Sequence, residues 1–151
     1  MLENNIIIRL ATDADVPALA LLMNELGYST TEAEMHSRYD LLRSHADYAT
    51  WMAVCNNQVA GMIGLLRNIY YEKNGLYIRV GALVVHKEFR KMGLGKALLQ
   101  KATDWAIELG ASQVILNSGN REERKDAHAF YEYLGFEPRT IGFVKTVNHK
   151  F

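Results

Sequence analysis

The sequence predicts an α/β (mixed α+β) domain: a mostly antiparallel sheet, one central parallel β-α-β crossover, and helices on both faces. Three features carry this prediction. A β-branched run, "IIIRLAT", precedes two stretches with helical apolar spacing. Two apolar strand-like stretches flank Asn56-Asn57-Gln58, a hairpin signal. A strand–helix–strand follows over residues 76–117, and such a unit is a right-handed crossover joining parallel strands.

In order, residues 6–12 form the first strand, with Asp13 or Asp15 as cap and Pro17 in the first turn of the next helix. "VPALALLMNEL" is that helix, and Gly27 stops it. Thr30 or Thr31 caps a second helix, in which Met35, Tyr39 and Leu42 share one face. "TWMAVC" and "VAGMIGLLRNIYY" are strands, and the polar turn "EKNG" leads to the strand "LYIRVGALVV". Gly81 inside that strand marks a bulge or a close approach. The helix from Gly93 to Leu109 buries Leu94, Leu98, Ala102, Trp105 and Leu109 and exposes Gln100, Asp104 and Glu108. Gly110 ends it, and "SQVILN" is a short strand. The last helix carries Ala127, Phe130, Tyr131 and Leu134 on one side, with Gly135 as terminator and Phe136 folding back on Tyr131 or Phe130. "TIGFVKTV" closes the chain as a strand, giving the order β-α-α-β-β-β-α-β-α-β.

With 151 residues, the chain is expected to be a single domain over 1–151. Lysine plus arginine and aspartate plus glutamate are 17 each, so no net field draws nucleic acid or an anionic membrane. The start lacks a signal-peptide pattern and no run has the length of a membrane span, which makes the cytoplasm the expected compartment. The single Cys55 excludes an internal disulfide and reads as a small core residue. Histidines and carboxylates show no persuasive metal spacing, so no metal is expected.

The stretch "FRKMGLGKALLQ" is unusual for a helix start. Gly95 inside the helix costs roughly 1 kcal/mol relative to alanine. Arg90, Lys91 and Lys96 sit against the positive end of the helix dipole. An anion in front of the helix reconciles both features, because the first amides of a helix bind anions and glycine lets a phosphate approach. Two phosphate motifs fail here. A Walker A loop needs glycine at 90 and Ser or Thr at 97, where Arg90 and Ala97 stand; a dinucleotide fingerprint needs glycine at 98, where Leu98 stands.

What remains is R-x-x-G-x-G, formed by Arg90, Gly93 and Gly95, directly after a strand ending "LVV". With "AHAFYEYLGFE" about 35 residues later, and with the element order of nearly the whole chain, this resembles the GNAT superfamily of N-acetyltransferases. The resemblance implies the GNAT fold, acetyl-CoA as cosubstrate, and transfer of its acetyl group to a primary amine by direct attack. It implies that the backbone from Lys91 through Met92, Gly93, Leu94 and Gly95 to Lys96, beside Arg90, holds the CoA pyrophosphate. The edge of Leu83, Val84 and Val85 would pair with the pantetheine arm like an added strand, in a slot opened where parallel strands part after Gly81. An amide at Val84 or Val85 would polarise the thioester carbonyl.

Tyr131, in the family's "FY" position, would protonate the leaving thiolate; a phenol with an ordinary pKa of about 10 keeps its proton at neutral pH. Without the resemblance, Tyr131 reads equally as a core aromatic, and Tyr133 as structural. His128 reads as a hydrogen-bonded or solvated side chain rather than a catalytic one. The family's glutamate on the fourth strand has no counterpart at Gly81 or Ala82, which leaves the general base unassigned. The family's asparagine before the "AHAFY" helix falls at Arg124; Asn117, at the end of the fifth strand, is the other candidate for its place. The acceptor would lie between 26–31, the "YYEKNG" turn and the final strands, where Tyr28, Glu72 and Arg139 stand. A small-molecule amine is the expected partner, and a homodimer through the C-terminal strands is common in the family. The competing readings are a CoA-binding sensor or interaction module without catalysis, kept open by the missing glutamate, and a protein or peptide N-acetyltransferase.

Overall fold

A computed structural model describes residues 5–117 and 125–147. The chain divides into two compact units, Met1–Leu116 and Asn117–Phe151. In the first, β1 (Ile6–Leu10) leads through a short 3-10 turn to α1 (Val16–Leu26) and α2 (Glu32–Arg43). Then follow β2 (Tyr48–Cys55), β3 (Gln58–Ile69), β4 (Leu76–Val85), α3 (Leu94–Leu109) and β5 (Val114–Leu116). The strands lie in the order β1-β2-β3-β4-β5. Every neighbouring pair is antiparallel except β4–β5, the parallel pair that α3 connects.

Local chemistry sets the element ends. Asn56 and Asn57 both adopt positive φ, 51° and 68°, and close the β2–β3 hairpin between Cys55 and Gln58. Asparagine tolerates this left-handed region, which a two-residue hairpin turn needs. Thr31 and Glu34 form a reciprocal capping box at the start of α2: Glu34 N–H donates to Thr31 Oγ1 at 3.1 Å and Thr31 N–H to Glu34 Oε1 at 3.0 Å. Asp15 does not cap α1 through its side chain. It accepts the Thr12 N–H at 2.8 Å and binds the Arg9 guanidinium through both oxygens, at 2.7 and 2.9 Å.

The sheet is covered on both faces. α1 and α2 bury Val16, Leu19, Leu22, Met35 and Tyr39 against Met52, Met62 and Val84. On the other face α3 buries Leu94, Leu98, Leu99, Ala102 and Ala106, and Trp105 meets Trp51 of β2 edge to face at 5.4 Å. Leu99 and Ala106 widen the apolar stripe beyond the five expected positions. Gly61 lets β3 run close here: a Cβ on it would come within 2.8 Å of the Val84 carbonyl oxygen.

In the second unit, α4 spans Lys125–Tyr133. It ends in a Schellman turn at Gly135 (φ 95°): Phe136 N–H returns to Tyr131 O at 3.0 Å and Gly135 N–H to Glu132 O at 3.0 Å. The turn brings the Phe136 ring against Tyr131, centroids 6.2 Å apart. The strand expected over "TIGFVKTV" does not form. Residues 138–147 join no ladder, and Phe143 and Val144, which a pleat would send to opposite faces, are both 95% exposed. An apolar pattern names a face to bury but supplies no hydrogen-bonding partner, and a strand exists only with one.

Candidate active site

The site begins with a change of hydrogen-bonding direction inside β4. β3–β4 pairing is regular from Gly61↔Val85 to Gly64↔Ala82 and resumes at Leu65↔Val80, so Gly81 is the extra residue of a bulge. On the C-terminal side, His86 N–H donates to Ala60 O at 2.8 Å. Antiparallel alternation then makes Met62–Val84 and Gly64–Ala82 hydrogen-bonded pairs as well. The amides and carbonyls of Leu83 and Val85 therefore point away from β3, to the side where β5 lies further back. On the N-terminal side of the bulge it is Ile78 that faces β5, donating to Gln113 O at 2.9 Å. The β4–β5 ladder stops at Val80↔Leu116. Beyond it, among the described residues, no strand pairs with the outer edge of Leu83–Val85. Of the two amides considered as carbonyl polarisers, Val84's is turned to β3 and Val85's faces the open edge.

The chain leaves that edge through His86 and a short 3-10 turn and reaches the amino end of α3. Lys91 (φ 65°) and Gly93 (φ 84°) are both left-handed, which turns the backbone into the helix axis. Gly93 occupies the N-cap without a side chain to cap with. The first intrahelical bond is Ala97 N–H to Gly93 O, 3.0 Å, so the amides of Leu94, Gly95 and Lys96 have no partner within the helix. Lys91 and Lys96 are exposed beside them, and Leu94 is buried in the core beneath.

Arg90 plays a different part from the lysines. Its Nε donates to Val85 O at 3.3 Å, and its guanidinium lies 3.5 Å from the carboxylate of Glu25 on α1. The same Glu25 oxygen accepts the Lys87 N–H at 3.0 Å. Arg90 is thus a strut that ties the loop back to the strand end and, through Glu25, to α1. No local sequence signal marks Glu25, since its partners lie more than sixty residues away.

Tyr131 lies partly buried on α4 of the second unit, where it also touches the Phe130 ring at 5.8 Å. Tyr133 is 80% exposed on the same helix, and His128 is partly buried rather than on an open face. Asn117 is exposed in the second unit, and Arg124 lies outside the described residues. Of the three acceptor-region residues, Tyr28 and Glu72 are exposed and Arg139 pairs with Glu137 at 2.8 Å. No group of three or more His, Cys, Asp or Glu among the described residues is placed to hold a metal, and no described helix is long and apolar enough to cross a membrane.

An open strand edge running into an uncapped, glycine-turned helix start fits a ligand with an extended amide-bearing arm and a pyrophosphate. The model of the Acetyltransferase (GNAT) family matches residues 16–136. The chain belongs to this family, and it is an enzyme of the N-acetyltransferase type. It is 32% identical over 130 residues to the uncharacterized N-acetyltransferase YhdJ of Bacillus subtilis strain 168, covering 83% of this chain and 87% of that one. Among solved structures it resembles a GNAT family acetyltransferase of Staphylococcus aureus subsp. aureus USA300_TCH1516, at TM-score 0.81 and 34% identity, covering 94% and 98% of the two chains. It shares the fold of AAC(6')-Iy, solved in complex with the bisubstrate analogue CoA-S-monomethyl-acetylneamine, at TM-score 0.79 and 17% identity, covering 95% and 99%.

Proposed function

We propose that the protein transfers the acetyl group of acetyl-CoA to the primary amine of a small molecule by direct attack. The observation that carries this is the continuity of the open Leu83–Val85 edge with the uncapped amides of Leu94, Gly95 and Lys96. The pyrophosphate is held by those amides with Lys91 and Lys96 beside it, and the pantetheine arm takes the strand edge through Leu83 and Val85. The Val85 amide polarises the thioester carbonyl. The amine nitrogen bonds to the acetyl carbon, the C–S bond breaks, and the Tyr131 hydroxyl protonates the thiolate. β4 carries no carboxylate; the acceptor ammonium gives one proton to solvent before attack, and the proton its nitrogen sheds as the amide forms passes through solvent to restore the Tyr131 hydroxyl. Support for a small acceptor comes from the shared fold with AAC(6')-Iy, solved with a bisubstrate analogue that joins CoA to acetylneamine.

The test follows free thiol on incubating the protein with acetyl-CoA and an amine panel. Thiol release dependent on amine is expected. Acetyl-CoA should also raise the melting temperature by mass action, and NAD and ATP far less. Binding of acetyl-CoA without turnover on any amine overturns catalysis in favour of a CoA-sensing module.

A further inference from the structure

Among the described residues, two donors without partners are neighbours on the sheet, next to the place where β4 and β5 part. The side-chain amide nitrogen of Asn68 is shut off from solvent and has no hydrogen-bond partner. Arg79 is a partly buried residue, and no described residue forms an ion pair or hydrogen bond with its guanidinium. In the β3–β4 register Leu66 faces Arg79 and Asn68 faces Tyr77. Asn68 and Arg79 are therefore diagonal neighbours on one face, about 7 Å apart. Even-numbered β3 residues from Met62 onward share that face, and Met62 packs under α1 and α2. Arg79 comes two residues before the Gly81 bulge, and the last β4–β5 pair, Val80↔Leu116, adjoins it.

The neighbourhood is built rather than loose. Tyr77 stacks on Tyr70 with ring centroids 4.8 Å apart, and the Tyr70 hydroxyl is held by Ser112 Oγ at 2.8 Å and Gln113 Oε1 at 2.9 Å. A buried donor without an acceptor is destabilising, because it has given up water and gained no partner in return. A ligand that carries acceptor oxygens would satisfy both donors at once. Arg favours planar oxyanions, which its fork binds through two parallel bonds.

We propose that Arg79, with Asn68, binds an anionic group of the acceptor, so that the preferred substrate is a primary amine carrying a carboxylate or phosphate. This rests on the acetyltransferase reading and adds the acceptor's charge to it. Arg79 takes the oxyanion while the amine extends past the bulge to the thioester. Asn68 gives up no existing hydrogen bond when it turns to the same group.

The test compares β-alanine and 2-aminoethyl phosphate with propylamine at saturating acetyl-CoA. The two anionic amines separate carboxylate from phosphate, and either one exceeding propylamine in kcat/KM by about 10- to 100-fold is expected, the worth of a charge-assisted bond. Arg79→Met should erase that ratio, Arg79→Lys should restore part of it, and Asn68→Leu should reduce it. Equal kcat/KM for anionic and neutral amines in the wild type, or a ratio that survives Arg79→Met, overturns the proposal. A second arm does not depend on turnover: calorimetric titration of 2-aminoethyl phosphate and β-alanine into CoA-saturated protein. Weaker binding in folded Arg79→Met supports the anion site even if no amine releases thiol, a result that would fell only the acetyltransferase reading. Equal binding in the two proteins overturns the site.

Discussion

Glu25 on α1 holds the loop after β4 by two bonds, accepting Lys87 N–H at 3.0 Å and facing the Arg90 guanidinium at 3.5 Å. Arg90 in turn donates to Val85 O at 3.3 Å. The first helix thereby fixes the path of the backbone between the open Leu83–Val85 edge and the uncapped amides at the start of α3.

Glu25→Ala should raise the KM for acetyl-CoA about 5- to 10-fold and leave kcat within about twofold, because Glu25 touches no reacting atom. Glu25→Gln keeps an acceptor for Lys87 N–H but removes the ion pair, so about half of the effect should return. Steady-state kinetics at saturating amine measure both. An unchanged KM in Glu25→Ala would show that the loop holds its shape without α1.

Gly93 sits at φ 84° with nothing within 4 Å of an added Cβ. Valine there meets no clash but must enter a left-handed conformation, at a cost of about 1–2 kcal/mol. Gly93→Val should therefore melt only a few degrees lower in the absence of ligand. The bulky residue would stand at the N-cap, directly before the three open amides, and if these hold the pyrophosphate the upward shift in melting temperature with acetyl-CoA should vanish. A shift that survives would take the pyrophosphate away from this loop.

Much of this arrangement was legible before the fold. Thr30 or Thr31, Gly27, Gly110 and Gly135 marked helix ends because each acts on backbone groups within a few residues of itself, and the structure settles the first choice on Thr31, boxed with Glu34. Asn56-Asn57 and Gly81 were equally local signals. Three features were not local. The direction of the Val84 and Val85 amides depends on hydrogen-bond parity, which the bulge resets and only the partner strand reveals. Glu25 acts across 62 residues of sequence. "TIGFVKTV" has the composition of a strand, but the ladder it would need is not present in the described residues.

Asp15 is buried, and its carboxyl is held below the usual range, first by the Arg9 guanidinium and then by the Thr12 N–H, against the opposing effect of burial. A carboxylate with a lowered folded-state pKa contributes stability above its unfolded pKa, about 3.9, and loses it as pH falls through the folded value. Asp15→Asn should be about 2 kcal/mol less stable at pH 7, and the gap to wild type should begin to narrow below about pH 4 and close as pH falls through the lowered folded-state value. Urea denaturation across that range reads it. A constant gap down to pH 2 would mean that the charge contributes nothing and only packing is lost.

Tyr131 is the sharpest test of the chemistry. Tyr131→Phe keeps the ring, its contacts with Phe130 and Phe136, and the Schellman turn, whose bond uses only the Tyr131 carbonyl. The substitution removes one hydroxyl and leaves the apolar packing in place, and thermal melting without ligand checks that the variant is folded. If that hydroxyl protonates the departing thiolate, turnover should fall about 100-fold or more, with acetyl-CoA affinity nearly unchanged. Tyr133→Phe is the matched control: the same atom is lost from an 80% exposed ring on the same helix, and turnover should stay close to normal. A more acidic leaving thiol needs the proton less, so an acyl donor with a low-pKa thiol should recover much of the loss in Tyr131→Phe and gain little in wild type. Equal turnover of wild type and Tyr131→Phe, with chemistry rate-limiting, would return Tyr131 to the apolar side of α4.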